Sequence, residues 1–133
     1  KSYETSIGGV RKILQALKSK GAICFAADQV PQRGLGKYIK LYNRDAYTTT
    51  LVQSLAVKTG APVLYIFINS NKNGFLYVSV KQCENDIYDD SKHQLLLNKD
   101  IENIINVRPI DYSWEYKRFK KHRPPDIDPY RSI

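Results

Sequence analysis

The sequence predicts a single α/β domain in which helices flank a mixed β-sheet. The apolar spacing changes along the chain from helix to strand to helix to strand, and a hairpin follows. The 133 residues are enough for one domain, and 42% hydrophobic with 26% charged residues is ordinary for a globular protein. A formal net charge of +8 favours an anionic partner, such as nucleic acid or phospholipid, without choosing between them.

Three segments have helical spacing. Residues 8–20 repeat apolar side chains at i, i+3, i+4 and i+7. A second helix is predicted at 50–59, with the threonines at 48–50 as candidate N-caps and Gly60 ending it. A third is predicted at 92–106, where the apolar stripe consists of Leu97, Ile101, Ile104 and Ile105.

Strands are predicted where apolar runs are short. Residues 22–27 are continuously apolar, as expected of a strand that is covered on both sheet faces, and residues 62–69 are the strongest strand prediction in the chain. The Asn-Lys-Asn-Gly turn at 71–74 is predicted to lead into a returning strand at 75–82. A short strand is also expected at 38–42, where tyrosine and lysine alternate with apolar residues.

Residues 114–123 hold five Lys or Arg and three aromatic residues, with one acid. A last helix, opened by Pro109, is predicted at 110–120, and the Pro-rich tail at 124–133 is expected to be extended. Such a segment can lay its rings against apolar groups while its cations meet phosphate. Alternatively, it is a terminal helix whose aromatic residues close the domain and whose cations are solvated.

Asp28 is the leading candidate for chemistry. It follows the first predicted strand, at the edge where an open α/β sheet usually places ligands. Its carboxylate could orient a substrate hydroxyl, a catalytic histidine or a loop, although a turn-forming Asp would also explain it. Arg33 and Arg44 flank the same loop, as anion contacts or as solvated charges.

Metal and thiol chemistry have little support in the sequence. His93 is expected to be exposed, and neither it nor His122 has the Cys or His neighbours of a metal site. Cys24 is expected to be a small buried residue. Glycine-rich phosphate loops and a serine nucleophile motif are absent, so no metal or cofactor is predicted.

Four segments occur in an order and spacing that resemble a known family: 26–31 (AADQVP), 43–51 (NRDAYTTTL), 59–63 (TGAPV) and 111–120 (DYSWEYKRFK). Together they resemble the C-terminal half of the bacterial lipid A biosynthesis (late) acyltransferases, within the glycerolipid acyltransferase-like superfamily. The resemblance implies that residues 1–123 are the C-terminal half of an acyltransferase domain, a partial domain, followed by the tail at 124–133.

The resemblance implies an enzyme at the cytoplasmic face of the bacterial inner membrane. Such an enzyme moves a fatty acyl chain from acyl carrier protein, or from acyl-CoA, to a hydroxyl of a lipid A precursor. The family uses a His with an acid five positions later, and the His deprotonates the acceptor hydroxyl. No cofactor is implied.

The chain departs from that pattern at the catalytic pair. The fifth residue after His93 is Asn98, and the fifth after His122 is Ile127. Because the sequence contains no Met and starts at Lys1, we expect the catalytic His and its acid to lie upstream. Asp28 is retained and is expected to support catalysis, while substrate contacts are expected from Gln29, Arg33, Arg44, Lys117 and Arg118.

Two other functions are compatible with the sequence. A basic nucleic-acid-binding module would use the cations for phosphates and the rings of residues 114–123 for stacking on bases, but no recognised binding motif is present. A non-catalytic remnant of the acyltransferase scaffold would also lack the catalytic pair. The absence of Met favours truncation over the remnant.

Overall fold

The computed structural model describes residues 7–89, 91–123 and 125–131. Within these ranges the protein is α/β, with three helices and two β-hairpins, as predicted at the level of fold class. The elements in chain order are α1 Ile7–Lys18, β1 Gly36–Leu41, β2 Arg44–Thr49, α2 Leu51–Thr59, β3 Leu64–Ser70, β4 Leu76–Gln82 and α3 His93–Val107. Short 3₁₀ turns cover Asn85–Tyr88 and Pro109–Asp111.

The strands form two separate antiparallel sheets among the described residues, β1–β2 and β3–β4, and not one mixed sheet. The predicted strand at 22–27 is wrong, because this segment is irregular. A strand is stabilised by a neighbouring ladder, and no described strand pairs with it. Cys24, predicted to be buried there, is exposed.

The first hairpin was only half predicted, because no strand was predicted at 44–49 and the threonines at 48–50 were assigned to a helix N-cap. Tyr42 and Asn43 connect its strands with φ values of 48° and 63°. Two successive residues with positive φ give a turn whose twist matches that of the strands. The register pairs Ile39 with Ala46 and Tyr38 with Tyr47.

Helices α2 and α3 confirm their predicted positions to within one residue. Gly60 ends α2 with φ 66°, and its N–H donates to the Ala56 carbonyl at 2.8 Å. Thr50 occupies the N-cap position without a side-chain capping bond, and Thr49 Oγ1 instead accepts from the Leu51 N–H at 3.2 Å.

The main core lies between the first hairpin and α3. Its buried residues are Leu41, Ala46, Leu97, Ile101 and Ile105. Half-buried Ala27, Tyr65, Tyr112 and Phe119 pack against them. The predicted stripe of α3 therefore contacts the core. Residues 112–121, called the C-terminal segment below, contribute two of the surrounding rings, Tyr112 and Phe119.

The second hairpin has the predicted strands and turn. Ile66 pairs with Val80 and Ile68 with Val78. Asn71 Oδ1 shapes the turn by accepting the N–H groups of Asn73 and Phe75, both at 2.9 Å. Unlike the first hairpin, it leaves a row of aliphatic side chains more than half exposed: Leu64, Ile66, Ile68, Leu76, Val78 and Val80.

The predicted helix at 110–120 is wrong. The chain passes from the 3₁₀ turn at Pro109–Asp111 into successive turns up to residue 121. A helix would bring Lys117 within one turn of Lys120 and Lys121, and like charges at those spacings repel.

The tail also departs from an extended conformation at the described residues 125–131, which contain turns. It lies back on the body of the protein, where the Tyr130 hydroxyl accepts from the Phe119 N–H at 3.0 Å. Pro124 lies outside the described residues. Among the described helices, none has the length and apolar character to cross a membrane.

Candidate functional site

Arg118 is the centre of the most unusual polar arrangement in the protein. Its side chain is buried, with the residue only 3% exposed. Nη1 donates to the Tyr47 carbonyl at 3.0 Å, and Nη2 donates to Thr48 Oγ1 at 2.8 Å. Burial lowers the pKa of the guanidinium, and no carboxylate of the described chain lies within salt-bridge distance. The buried cation is therefore held by neutral acceptors on β2.

Asn98 extends this arrangement into α3. Its Nδ2 lies 3.0 Å from Thr48 Oγ1, 3.2 Å from the Ile39 carbonyl and 3.1 Å from the Lys40 carbonyl. Thr48 Oγ1 can give its own proton to the Ala46 carbonyl or to Asn98 Oδ1, both at 3.1 Å. Thr48 thus joins α3, the first hairpin and the C-terminal segment in one buried network.

The same C-terminal segment fixes the loop that carries Asp28. The Tyr116 hydroxyl accepts from the Val30 N–H at 2.7 Å, and Lys121 Nζ donates to the Pro31 carbonyl at 2.6 Å. Asp28 is half-buried in a turn at the start of this loop. The loop conformation near Asp28 therefore depends on side chains about ninety positions later in the chain.

Tyr112 connects Asp28 with Arg118 electrostatically. Burial, and secondarily the charge of Asp28, raises the pKa of the Tyr112 phenol to about 12. Within the described structure, three buried polar atoms lack a hydrogen-bond partner: Tyr112 Oη, Arg118 Nε and His122 Nδ1. Two of the three belong to residues that feel the Asp28 charge.

The cations of the C-terminal segment rest on aromatic rings. Lys120 lies 4.9 Å from the Tyr116 ring centroid, Lys121 4.9 Å from that of Tyr47, and Lys117 5.6 Å from that of Tyr130. These distances are within the range of cation–π attraction.

The aromatic side chains of this segment are themselves engaged in the fold. Phe119 is half-buried against the core, under the Arg44 guanidinium at 5.8 Å. Trp114 Nε1 donates to the Pro109 carbonyl at 2.7 Å, and its ring meets Tyr112 edge-on at 5.0 Å. Tyr116 and Phe119 are therefore held in the fold, whereas Trp114 is more than half exposed, so the three rings do not form one continuous platform for stacking bases.

The predicted site residues do not form one cluster. Arg118 lies in the interior and senses Asp28, whereas Gln29, Arg33, Arg44 and Lys117 are exposed. The Arg44 Nη2 donates to the Ile127 carbonyl at 3.2 Å. Asp28 therefore influences the charge of Arg118 without an ion pair, and the other four are cations or amides on the surface.

An open cavity of about 380 Å³ has one of the predicted site residues, Arg44, in its lining. It is almost wholly apolar, and its lining consists of Tyr42, Arg44, Asn106, Pro109, Trp114 and Phe119. Arg44 is the one cation in this lining.

A second polar cluster surrounds the buried Cys83. Tyr65 Oη donates to Cys83 Sγ at 3.4 Å, and Asp100 Oδ2 lies 3.6 Å from the same sulfur. Burial raises the pKa of the thiol, so it stays protonated and is a poor nucleophile. Lys81 pairs with Asp100 at 3.1 Å. In the described part of the chain, no group of three or more His, Cys, Asp or Glu could hold a metal ion.

Several residues of the network were not singled out from the sequence. A polar network could have been predicted from Asn98. It follows Leu97 within the apolar stripe of α3, and a buried polar side chain needs a hydrogen-bond partner. Thr48 was considered as a helix cap, or as a donor to an anion at a helix N-terminus, and not as part of a buried network. Tyr112 and Tyr116 carried no separate signal, because the segment that contains them was taken to be helical.

Comparison with protein families gives one finding. Residues 4–121 match the family model described as "Bacterial lipid A biosynthesis acyltransferase". A search of curated proteins finds no match.

Proposed function

The chain belongs to the bacterial lipid A biosynthesis acyltransferase family, and we propose that it takes part in acylating a lipid A precursor. In this proposal a fatty acyl chain passes from acyl carrier protein, or from acyl-CoA, to a hydroxyl of the precursor. The family match across residues 4–121 is the observation that carries the proposal. The reaction breaks the donor thioester, forms an ester at the acceptor oxygen and moves the hydroxyl proton to a base, from which the proton passes to the thiolate that leaves the donor as a thiol.

Asp28 is the proposed supporting carboxylate. Acyl transfer to a hydroxyl needs a base that is held in one orientation, and a carboxylate can hold an imidazole or the hydroxyl itself. The fixed loop supports this role, because Tyr116 and Lys121 hold the backbone at Val30 and Pro31.

The base itself is proposed to lie in polypeptide that precedes Lys1. His93 and His122 both lack an acid at the fifth following position. In this proposal the chain is the C-terminal half of an acyltransferase domain with a glycerolipid acyltransferase-like fold. The resemblance of residues 26–31 and 111–120 to that half of the family supports this assignment.

The exposed polar groups are proposed to contact the anionic substrates. A lipid A precursor carries phosphates, acyl carrier protein is acidic, and the chain has a net charge of +8. Arg33, Arg44 and Lys117 are exposed and could meet these anions, with Gln29 beside Asp28. For Arg118 we propose that it anchors the C-terminal segment to β2, because Nη1 and Nη2 each donate a hydrogen bond to an oxygen of that strand. Because the proposed acceptor is a lipid, we propose that the enzyme acts at the cytoplasmic face of the bacterial inner membrane.

Acyl-transfer assays on two polypeptides test the proposal. The purified 133-residue chain should transfer no acyl group, and a longer product of the same gene that includes the residues before Lys1 should transfer it. A longer product that folds but transfers nothing would contradict the proposal and favour a non-catalytic remnant. Transfer by the 133 residues alone would contradict the upstream base.

Asp28→Asn in the longer product tests the site. We expect the rate to fall by about a hundredfold, within the usual contribution of an acid–base group, without loss of thermal stability. The matched control is Asp126→Asn, which neutralises an exposed carboxylate in the tail and should leave the rate unchanged. An unaffected rate in Asp28→Asn would reduce Asp28 to a turn residue.

A further inference from the structure

The loop that carries Asp28 is built without regular secondary structure. Residues 28–35 consist of turns and irregular backbone between α1 and β1. A backbone bond beside Asp28 is local, since the Gln29 N–H donates to the Ala26 carbonyl at 3.2 Å. A bond across three residues shapes a turn but does not tie that turn to another element. The position of this loop in the domain therefore depends on contacts with other parts of the chain.

Two side chains of the C-terminal segment bond the loop just after Asp28. The Val30 N–H donates to Tyr116 Oη at 2.7 Å, and Lys121 Nζ donates to the Pro31 carbonyl at 2.6 Å. Backbone donors and acceptors that are withdrawn from water need partners, and here two side chains supply them. Because one bond uses an N–H and the other the neighbouring carbonyl, the pair fixes both the place and the direction of this backbone.

The other end of the loop is held by Tyr47 of β2. The Tyr47 side chain is buried, and its hydroxyl accepts from the Gly34 N–H at 2.9 Å and from the Gly36 N–H at 3.2 Å. Lys121 Nζ also lies 4.9 Å from the centroid of the Tyr47 ring. Lys121 therefore contacts both the loop and the residue that holds the loop's other end.

The segment that supplies Tyr116 and Lys121 is itself anchored. Arg118 lies between them in the sequence, and its buried side chain donates to the Tyr47 carbonyl at 3.0 Å and to Thr48 Oγ1 at 2.8 Å. A side chain positions another group well only when its own backbone is held in place. The two bonds to the loop therefore start from a support that is bonded to β2.

We infer that Tyr116 and Lys121 are positioning residues for acyl transfer, which hold the backbone after Asp28 so that its carboxylate keeps one orientation. Small displacements of a catalytic group slow a reaction strongly, so a bond to the loop backbone has a catalytic consequence. Tyr116 Oη and Lys121 Nζ already bond the loop, and they act through Asp28 and not on the substrate. The inference rests on the proposed function for the role of Asp28.

Amide hydrogen exchange of the 133-residue chain, resolved by NMR, tests the hold on the loop without any assay of acyl transfer. Tyr116→Phe removes only the hydroxyl, and the Val30 amide should then exchange at least about tenfold faster. The matched control is Tyr88→Phe, which removes a hydroxyl that donates to the Ala61 carbonyl at 3.0 Å and should leave Val30 unchanged. Unchanged exchange at Val30 in Tyr116→Phe would overturn the inference.

A double-mutant cycle in the longer product tests whether Tyr116 acts through Asp28. Tyr116→Phe should lower kcat by about tenfold beside the native Asp28, and should cause no further loss in the Asp28→Asn background. Tyr88→Phe should leave kcat unchanged in both backgrounds. A merely structural role would give the same fold loss with and without the carboxylate, and that result would overturn the inference.

Steady-state kinetics separate positioning from substrate binding at Lys121. Lys121→Met removes the ammonium and keeps most of the aliphatic stem, so kcat should fall by about tenfold while KM for donor and acceptor stays within about twofold. The matched control is Lys72→Met, which removes the same charge from the exposed turn at 71–74 and should change neither constant. A higher KM at unchanged kcat would make Lys121 a substrate contact and overturn its part of the inference.

Failure of the inference and failure of the proposed function are distinguishable. A wild-type longer product that folds but transfers nothing counts against the proposed function, and the exchange of the Val30 amide then still decides whether Tyr116 holds the loop. An active wild type with unchanged kcat in Tyr116→Phe and Lys121→Met would overturn the inference and leave the proposed function standing.

Discussion

The two hairpins of this protein have similar lengths and opposite surroundings. The strands of the first have six residues each, and they contribute Ile39, Leu41, Ala46, Tyr47 and Thr48 to the buried residues. The strands of the second have seven residues each and are richer in aliphatic side chains, yet most of these are exposed. Aliphatic content therefore does not determine burial here; the elements that pack against each hairpin do.

The first hairpin is surrounded by elements from two distant parts of the sequence. Helix α3 supplies apolar contacts and Asn98, and the C-terminal segment supplies Arg118. The second hairpin is attached mainly along one face and at one end, where Asp111 accepts from the Ser70 N–H at 2.6 Å. The first hairpin is therefore buried on several sides, whereas the second has an exposed aliphatic face.

The largest expected effect comes from a pair of matched substitutions. Ile39→Ala removes methyl groups from a position that is 5% exposed and should lower the free energy of unfolding by about 3 kcal/mol. Ile66→Ala, at 68% exposure, should change it by less than about 0.5 kcal/mol. Urea unfolding of both variants gives the two values. A comparable loss in both would show that the second face is already covered.

A smaller effect is expected when the buried cation is removed. Arg118→Leu leaves the Tyr47 carbonyl and Thr48 Oγ1 without one donor each, while it also relieves the burial of a charge. We expect a net loss of about 2 kcal/mol in the free energy of unfolding. The control is Arg123→Leu, at an exposed position, for which chemical denaturation should give a change within about 0.5 kcal/mol. If Arg118→Leu is as stable as the control, the first hairpin does not depend on the hydrogen bonds of Arg118.

The smallest effect concerns the polar attachment of the second hairpin. The Ser70 N–H, followed by its hydroxyl and Arg108, lowers the pKa of the Asp111 carboxyl. Because the pKa in the folded state lies below that of the unfolded chain, ionised Asp111 stabilises the fold at neutral pH, and this stabilisation is lost as the pH falls through the folded value.

Asp111→Asn should therefore flatten the decline in the free energy of unfolding below about pH 4. Urea titrations from pH 2 to pH 7 measure this slope. Ser70→Ala keeps the backbone donor and removes only the hydroxyl, so it should flatten the slope less. An unchanged slope in Asp111→Asn would mean that this carboxylate does not hold the hairpin.

The sequence was sufficient to predict elements whose signals are local. The stripe of α3 and the turn at 71–74 each specify their own structure, and both were confirmed. The strand β2 was missed because Tyr42 and Asn43 are weaker turn signals than glycine, and the threonines at 48–50 suited a helix cap.

The rest of the site could not be predicted because it depends on contacts between distant residues. Whether residues 110–120 form a helix depends on the contacts of their aromatic side chains with distant residues. In the structure the Tyr116 hydroxyl accepts a hydrogen bond from the Val30 N–H, and Phe119 packs against the main core. Similarly, the predicted strand at 22–27 needs a neighbouring ladder that local sequence does not specify. Asp28 was identified by its position after this segment, but the side chains that fix its loop were not.

Amide hydrogen exchange of the 133-residue chain tests the contrast between the hairpins most directly. Amides paired within β1 and β2 should exchange only through global unfolding, since their hairpin is held on several sides. Amides paired within β3 and β4 should exchange at least about tenfold faster, through local opening. Equal protection in both hairpins of the monomeric chain would contradict the view that the second hairpin is held mainly along one face.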